Sequence, residues 1–177
     1  MAALATLVAA GCALADSSES IGSSASNLDY DASFGARIAS VARRVDGRAS
    51  GDMCLAETQN SLEQAGVRPF PRLPGAVDLD DFLRAQGDGL RAWGFEKQDR
   101  GVDDIPLGAI VAWRPGQCGY SAQYGHIEIA IGGGRACSDF CGNIAHGCGA
   151  PDVFVPTGAA AACAVNAQDH RLYCANR

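Results

Sequence analysis

The sequence predicts an α+β protein in which helices come first and a small antiparallel sheet second. Three observations carry this reading. Apolar residues recur at helical spacing in the first half, at Phe34, Ile38, Val41 and Val45 and again at Leu55, Leu62 and Ala65. In the second half the pattern becomes alternation: Ile127, Ile129 and Ile131 fall on one face of a strand, His126, Glu128 and Ala130 on the other. Gly132, Gly133 and Gly134 then supply the positive φ angles of a tight hairpin turn.

A chain of 177 residues is long enough for one domain with a real core, flanked by ends. Its net charge of −6 gives no basic footprint and argues against nucleic acid as a partner. Nothing in the pattern calls for an oligomer, so a monomer is expected. Eight cysteines are many for this length, and six of them follow residue 117. Such crowding points to disulfides in an oxidising compartment or to a metal site in a reducing one. The apolar run at residues 2–10 favours the first, because it resembles the core of a signal peptide and is too short to span a bilayer. Residues 1–15 are therefore expected to be an export signal, cleaved after Ala15 or ending in a lipid on Cys12, which sits in a lipobox-like AAGC.

Residues 16–28 hold six serines without periodicity and read as a tether. An amphipathic helix is expected over 32–45, ended by Asp46 and Gly47. A second runs from Cys54 to Gly66, with Ser50 or Asp52 as its N-cap. Three prolines make 67–74 a loop. A short helix follows over 78–86, capped by Asp78, then a turn over 90–94 and a short strand over 95–98. Residues 107–113 (LGAIVAW) read as a strand, with Arg114, Pro115 and Gly116 as its turn. The hairpin at 124–140 comes next, residues 152–156 form a last edge strand, and 158–177 form a tail stapled through Cys163 and Cys174.

The N-cap assignment puts Cys54 in the first turn of its helix. There the orphan N–H groups and the positive end of the helix dipole stabilise a thiolate. Amide hydrolysis by a thiolate also needs a base to hold and return a proton, and a third polar group to orient that base. A histidine facing away from three isoleucines is a fit base, and His126 is that residue. A cysteine at this position is equally compatible with a small core residue or a disulfide partner.

The order SGDMCLAETQNSLEQAG, PLGAIVAW, YGHIEIAIGGG resembles the NlpC and CHAP branches of the papain-like cysteine peptidases, over about residues 32–156. In those families a cysteine opens a helix, a Pro-Gly-Asp-type strand start follows, and a Gly-His pair opens the next strand. Here Leu107, Gly108 and Ala109 stand where Pro-Gly-Asp is usual. The resemblance implies a papain-like domain over 29–157, Cys54 as nucleophile and His126 as general base and acid. It further implies cleavage of amide bonds in peptidoglycan stem peptides or cross-bridges, with no cofactor and no metal. An amidase acting between the sugar lactyl group and L-alanine, or an antibacterial effector of the same fold, is the alternative.

The third residue is read from the hairpin register. A two-residue turn at Gly133 and Gly134 sets Ile127 opposite Phe140 and Ile129 opposite Ser138. Cys137, Asp139 and Cys141 then share a face with His126 and Glu128, which makes Asp139 the expected partner of the imidazole. A three-residue turn would put Asp139 among the isoleucines, where an unpaired carboxylate is costly. Ser138, Glu128 and Asn143 are the other candidates, and a β-bulge would reverse the parity. For the oxyanion the Cys54 N–H is the natural donor, with Tyr30 or Ser50 as possible side chains.

Setting aside Cys12 and Cys54 leaves six cysteines, enough for three disulfides in fifteen connectivities. Cys163 with Cys174 is the simplest pair. A zinc set of Cys137, Cys141, His146 and Cys148 competes with this reading. From another class, a secreted disulfide-rich binding module would use Cys54 structurally.

Overall fold

In the computed structural model the chain is described over residues 30–158 and, as backbone, over two later strands at 163–165 and 172–174. The segments expected to be an export signal and a serine-rich tether, and most of the expected tail, lie outside the described residues. The fold is α+β, with three helices on one face of a six-stranded antiparallel sheet.

Helix α1 (Ala32–Ala42) starts where Asp31 accepts the Phe34 N–H at 2.9 Å, and buries Phe34, Ile38, Ala39 and Ala42. It passes into a 3-10 turn, Arg43–Val45, so the stripe expected over 32–45 is one helix plus a tightened last turn. Helix α2 (Cys54–Gln64) stops at Gly66, whose φ of 87° lets Val67 N–H reach the Leu62 carbonyl. Helix α3 (Ala76–Ala85) begins at an extended Gly75 without a side-chain cap, and Asp78 lies inside its first turn instead of before it. The reason is tertiary: Val77 N–H is taken by the Tyr124 carbonyl at 2.8 Å, so the segment before His126 helps to start the helix. A 3-10 stretch, Gly87–Trp93, then leads through a left-handed Gly94 into the sheet.

The strands are β1 (Phe95–Gln98), β2 (Ile110–Trp113), β3 (His126–Gly132), β4 (Arg135–Cys137), β5 (Cys141–Asn143) and β6 (Asp152–Pro156), in the order β1-β6-β2-β3-β4-β5. Strand β6 is thus interior, paired with β1 and β2, and not the edge strand expected. Its composition explains why. Phe154 packs into the core under the helices while Val153 and Val155 fill a second core on the opposite face, so DVFVP has a buried partner on both sides. Two later strands, β7 (Cys163–Val165) and β8 (Leu172–Cys174), pair as a ribbon that sets Cys163 opposite Cys174.

The hairpin register also differs from expectation. The turn is at Gly133 and Gly134, with Gly132 opposite Arg135, but the ladder shifts between Ala130 and Gly132. That bulge at Ile131 places Ile129 opposite Cys137, not Ser138. Cys137 consequently joins Ile127 and Ile129 in the helix-side core, and β4 ends there. Residues 138–140 turn back at once into β5, Cys137 pairing with Cys141. Asp139 is therefore the apex of a second, tight hairpin.

Gly108 is the position where α1 meets the sheet backbone to backbone. Its φ is 77°, and a Cβ there would lie 2.4 Å from the Gly35 carbonyl oxygen. Glycine is required at this point of the LGA stretch by contact as well as by conformation. Because Phe154 is fully buried in an interior strand, Phe154→Ala should lower the unfolding free energy by about 3–5 kcal/mol. Urea unfolding of the variant measures this.

Candidate active site

The site is built at the end of the sheet where β3 begins and α2 starts. Helix α2 has no capping side chain of its own: its N-cap is Met53, and Asp52 before it takes a left-handed φ of 58°. The two residues expected to cap it do not. What stands in their place is Asp139, whose Oδ2 accepts the Gly51 N–H at 2.6 Å, the Met53 N–H at 3.1 Å and the Ser50 hydroxyl at 3.1 Å. The Ser138 hydroxyl donates to Oδ1 at 3.1 Å. Burial works to raise the Asp139 pKa, but the N–H groups of Gly51 and Met53 outweigh it and hold the carboxyl below its ordinary value. The Cys137–Cys141 disulfide closes the hairpin that carries it.

Cys54, the first residue of α2, is the free cysteine among the described residues and is partly exposed. Further along the helix, Thr58 donates its hydroxyl to the Ile127 carbonyl at 3.3 Å, fixing α2 to β3. His126 opens β3, opposite Trp113 on β2, and is 6% exposed. The Cys54 thiol and the Glu128 carboxylate are its polar partners. His126 Nε2 lies 3.6 Å from Glu128 Oε2, an ion pair slightly longer than a direct hydrogen bond. Glu128 is itself buried, and its Oε1 accepts the Trp113 indole N–H at 2.9 Å.

Burial alone would push the His126 pKa down. The hydrogen bond to Cys54 and the charge of Glu128 more than reverse this and raise it to about 9. Tyr120 stacks on the imidazole, ring centroids 4.2 Å apart and planes 12° apart. Its phenol is pushed up to about 12 by burial and then by Glu128 and Cys54, so it stays neutral over the imidazolium. The Cys118–Cys148 disulfide anchors the turn from which Tyr120 projects.

Cys54 and His126 open into a cleft of about 800 Å³. Its lining includes Arg72, Leu73, Gly75, Ser50 and Asp139, and Tyr120 and Phe140 flank the histidine. Met53 and Tyr124, the two large exposed hydrophobics among the described residues, both stand on its rim.

Of the residues singled out in the sequence, the structure brings Cys54, His126 and Glu128 into one cluster. Asp139 lies in the same cleft, but its carboxylate is turned to residues 50–53. Ser138 serves Asp139, and Asn143 is exposed at the end of β5. Tyr30 donates to the Leu107 carbonyl at 3.2 Å and takes no part in the cleft. The zinc set is not assembled: Cys137 is bonded to Cys141 and Cys118 to Cys148, while His146 is half exposed beside Asp103. Tyr120 and Trp113 were not among the sequence candidates. Trp113 is legible once β2 and β3 are in register, whereas nothing periodic marks Tyr120.

No family model and no curated protein matches the chain. Two solved structures are similar. One is the type VI native effector–immunity complex Tae3–Tai3 from Ralstonia pickettii, with a TM-score of 0.49, 21% identity, and coverage of 68% of this chain and 96% of that one. The other is the selenomethionine form of that complex, with a TM-score of 0.48, 21% identity, and coverage of 66% and 97%. A likeness at this level carries no argument about activity.

The His126 environment makes a pH prediction. Its pKa is about 9 in the folded protein against 6.5 for the free group, so the folded state binds the proton more tightly. The resulting stabilisation is fully present below about 6.5 and is lost as pH rises through about 9. The urea midpoint should fall across that window in the parent protein and clearly less in Glu128→Gln, which keeps an acceptor for Trp113 but removes the charge. Denaturation at a series of pH values checks this.

Proposed function

We propose that the chain is an exported cysteine hydrolase of papain-like architecture that cleaves amide bonds in peptidoglycan peptides. One observation carries the chemical part: a free cysteine on the first turn of a helix has a buried, carboxylate-paired histidine as its partner in an open cleft. In this reading Cys54 is the nucleophile and His126 the general base and acid. Glu128 takes the orienting role expected of Asp139, because it is the carboxylate paired with Nε2, which leaves Nδ1 for the thiol.

With a pKa of about 9, His126 is an imidazolium at neutral pH, which favours a thiolate beside it. The sulfur attacks the substrate carbonyl, and the Cys54 N–H at the helix start is the natural donor to the oxyanion. The imidazolium then protonates the leaving amine, giving a thioester. Neutral His126 next takes a proton from water, the hydroxide attacks the thioester, and the thiolate–imidazolium pair is regenerated. The steps use this chain's own groups and no cofactor.

Peptidoglycan as substrate rests on the resemblance of the sequence motifs. Export is supported by the two disulfides among the described residues. In this proposal Cys12 either leaves with the signal segment or carries a lipid, and the domain acts as a monomer. Among the described residues no helix is long and apolar enough to cross a membrane. The bond cut is either in the stem peptide or cross-bridge, or the amide between the lactyl group and L-alanine. The solved structures named above pair an effector with an immunity protein, but their likeness does not enter the choice between these bonds.

Cys54→Ala should abolish release of muropeptide fragments from purified cell walls while leaving the melting temperature unchanged; undiminished release would overturn the assignment. Mass spectrometry of the products from the active protein identifies the bond. A binding module in place of an enzyme would release nothing and would show no fast-reacting thiol at Cys54.

A further inference from the structure

The buried carboxylate of Asp139 has a task that orienting an imidazole does not describe. A carboxylate offers about four acceptor positions, and here four donors reach it. These are Gly51 N–H, Met53 N–H and Ser50 Oγ on one oxygen, and Ser138 Oγ on the other. Three of the four belong to the loop that ends at Cys54, some 86 to 89 positions earlier in the chain. That loop includes a non-glycine residue, Asp52, at a φ of 58°, a conformation that persists only where surrounding contacts impose it. Helix α2 has no side chain of its own to satisfy its first N–H groups. The hairpin that presents Asp139 is closed by Cys137–Cys141, and Ser138 N–H donates to the Phe140 carbonyl at 2.8 Å within it. The apex is therefore held on both flanks.

We infer that Asp139 is a positioning residue: from the disulfide-closed β4–β5 hairpin it sets the backbone of residues 50–53 and so aims the Cys54 sulfur at His126. The inference rests on the hydrolase reading for its catalytic consequence, but its structural content concerns the thiol itself. The Cys137–Cys141 bond belongs to the same device, since opening it frees the apex that carries the carboxylate. Both changes act on the thiol side of the pair. The Glu128 and Trp113 contacts of His126 lie on β2 and β3, outside this hairpin.

The test compares Asp139→Ala, Asp139→Asn and the double variant Cys137→Ser/Cys141→Ser with the parent. Two readouts are used: turnover on cell walls across pH, and the rate of iodoacetamide labelling at Cys54 followed by peptide mass spectrometry. A displacement of about 1 Å at a reacting group costs on the order of 100-fold, so Asp139→Ala should lower kcat by about that factor with KM little changed. It should also slow labelling of Cys54. Moving the thiol away from His126 removes a hydrogen bond that raises the imidazole pKa, so the alkaline limb near pH 9 should move to lower pH in Asp139→Ala and return toward its place in Asp139→Asn. Asp139→Asn retains an acceptor oxygen and should restore most of both rates, and the double serine variant should resemble Asp139→Ala. Parent-like kcat and labelling in Asp139→Ala would overturn the inference. If Asp139→Ala fails to fold, loss of both rates in a thermally stable double serine variant supports the inference, and unchanged rates there refute it. If the parent shows no turnover, the hydrolase reading fails while the labelling comparison still decides the role of Asp139.

Discussion

Two charges are buried together where β3 begins, and the rest of the site depends on their being buried as a pair. His126 and Glu128 are 6% and 4% exposed, and neither could hold its charge there alone. The Trp113 indole satisfies one carboxylate oxygen and the imidazole faces the other. Because Trp113 lies opposite His126 in the β2–β3 ladder, strand register alone brings all three side chains together. Neutral aromatic surface completes the enclosure, with Tyr120 stacked on one side of the ring and Phe140 at 6.3 Å on another. A buried imidazolium next to one carboxylate is balanced. The remaining hydrogen-bonding capacity of the ring is then directed at the Cys54 thiol.

The thiol side is assembled by a different logic. Hydrophobic burial docks α2 against the isoleucine face of the sheet, and Thr58 sets its height on β3. Neither contact determines how the chain enters the helix. That is left to polar groups reaching in from the β4–β5 hairpin, so the two halves of the pair are supported by separate strands. The two disulfides divide in the same way. Cys118–Cys148 braces the turn that covers the imidazole, and Cys137–Cys141 braces the hairpin under the helix start. Cys54 and His126 both sit at element ends, where backbone hydrogen bonding is incomplete, and covalent bracing of the two adjoining loops compensates for this.

Much of this was legible in the sequence because it follows from periodicity. The helical stripes of α1 and α2, the alternation of β3 and the stop at Gly66 each depend on nearby residues, and each appears where the pattern places it. Cys54 on a first turn and His126 at a strand start are consequences of those elements. The interior place of β6 is not legible, because a five-residue apolar run carries no mark of how many neighbours it has. The starts of α2 and α3 are not legible either, because the acceptors there, Asp139 and the Tyr124 carbonyl, come from distant parts of the chain.

The choice among carboxylates turned on a single residue. Parity along a hairpin transmits position faithfully until one strand contains an extra residue, and three consecutive glycines let the chain absorb such a residue at little cost. With Ile131 bulged, every residue beyond the turn changes face and Cys137 enters the core, so parity no longer sets Asp139 beside His126. The position of Glu128 does not depend on the turn. It lies two residues from His126 on the same strand, so alternation alone keeps it on the histidine's face whatever the turn does. For a paired group on a strand, the neighbour at i+2 is the more secure reading than any partner reached through a turn. The carboxylate beyond the turn, released from the histidine, became available to hold the helix that carries the thiol.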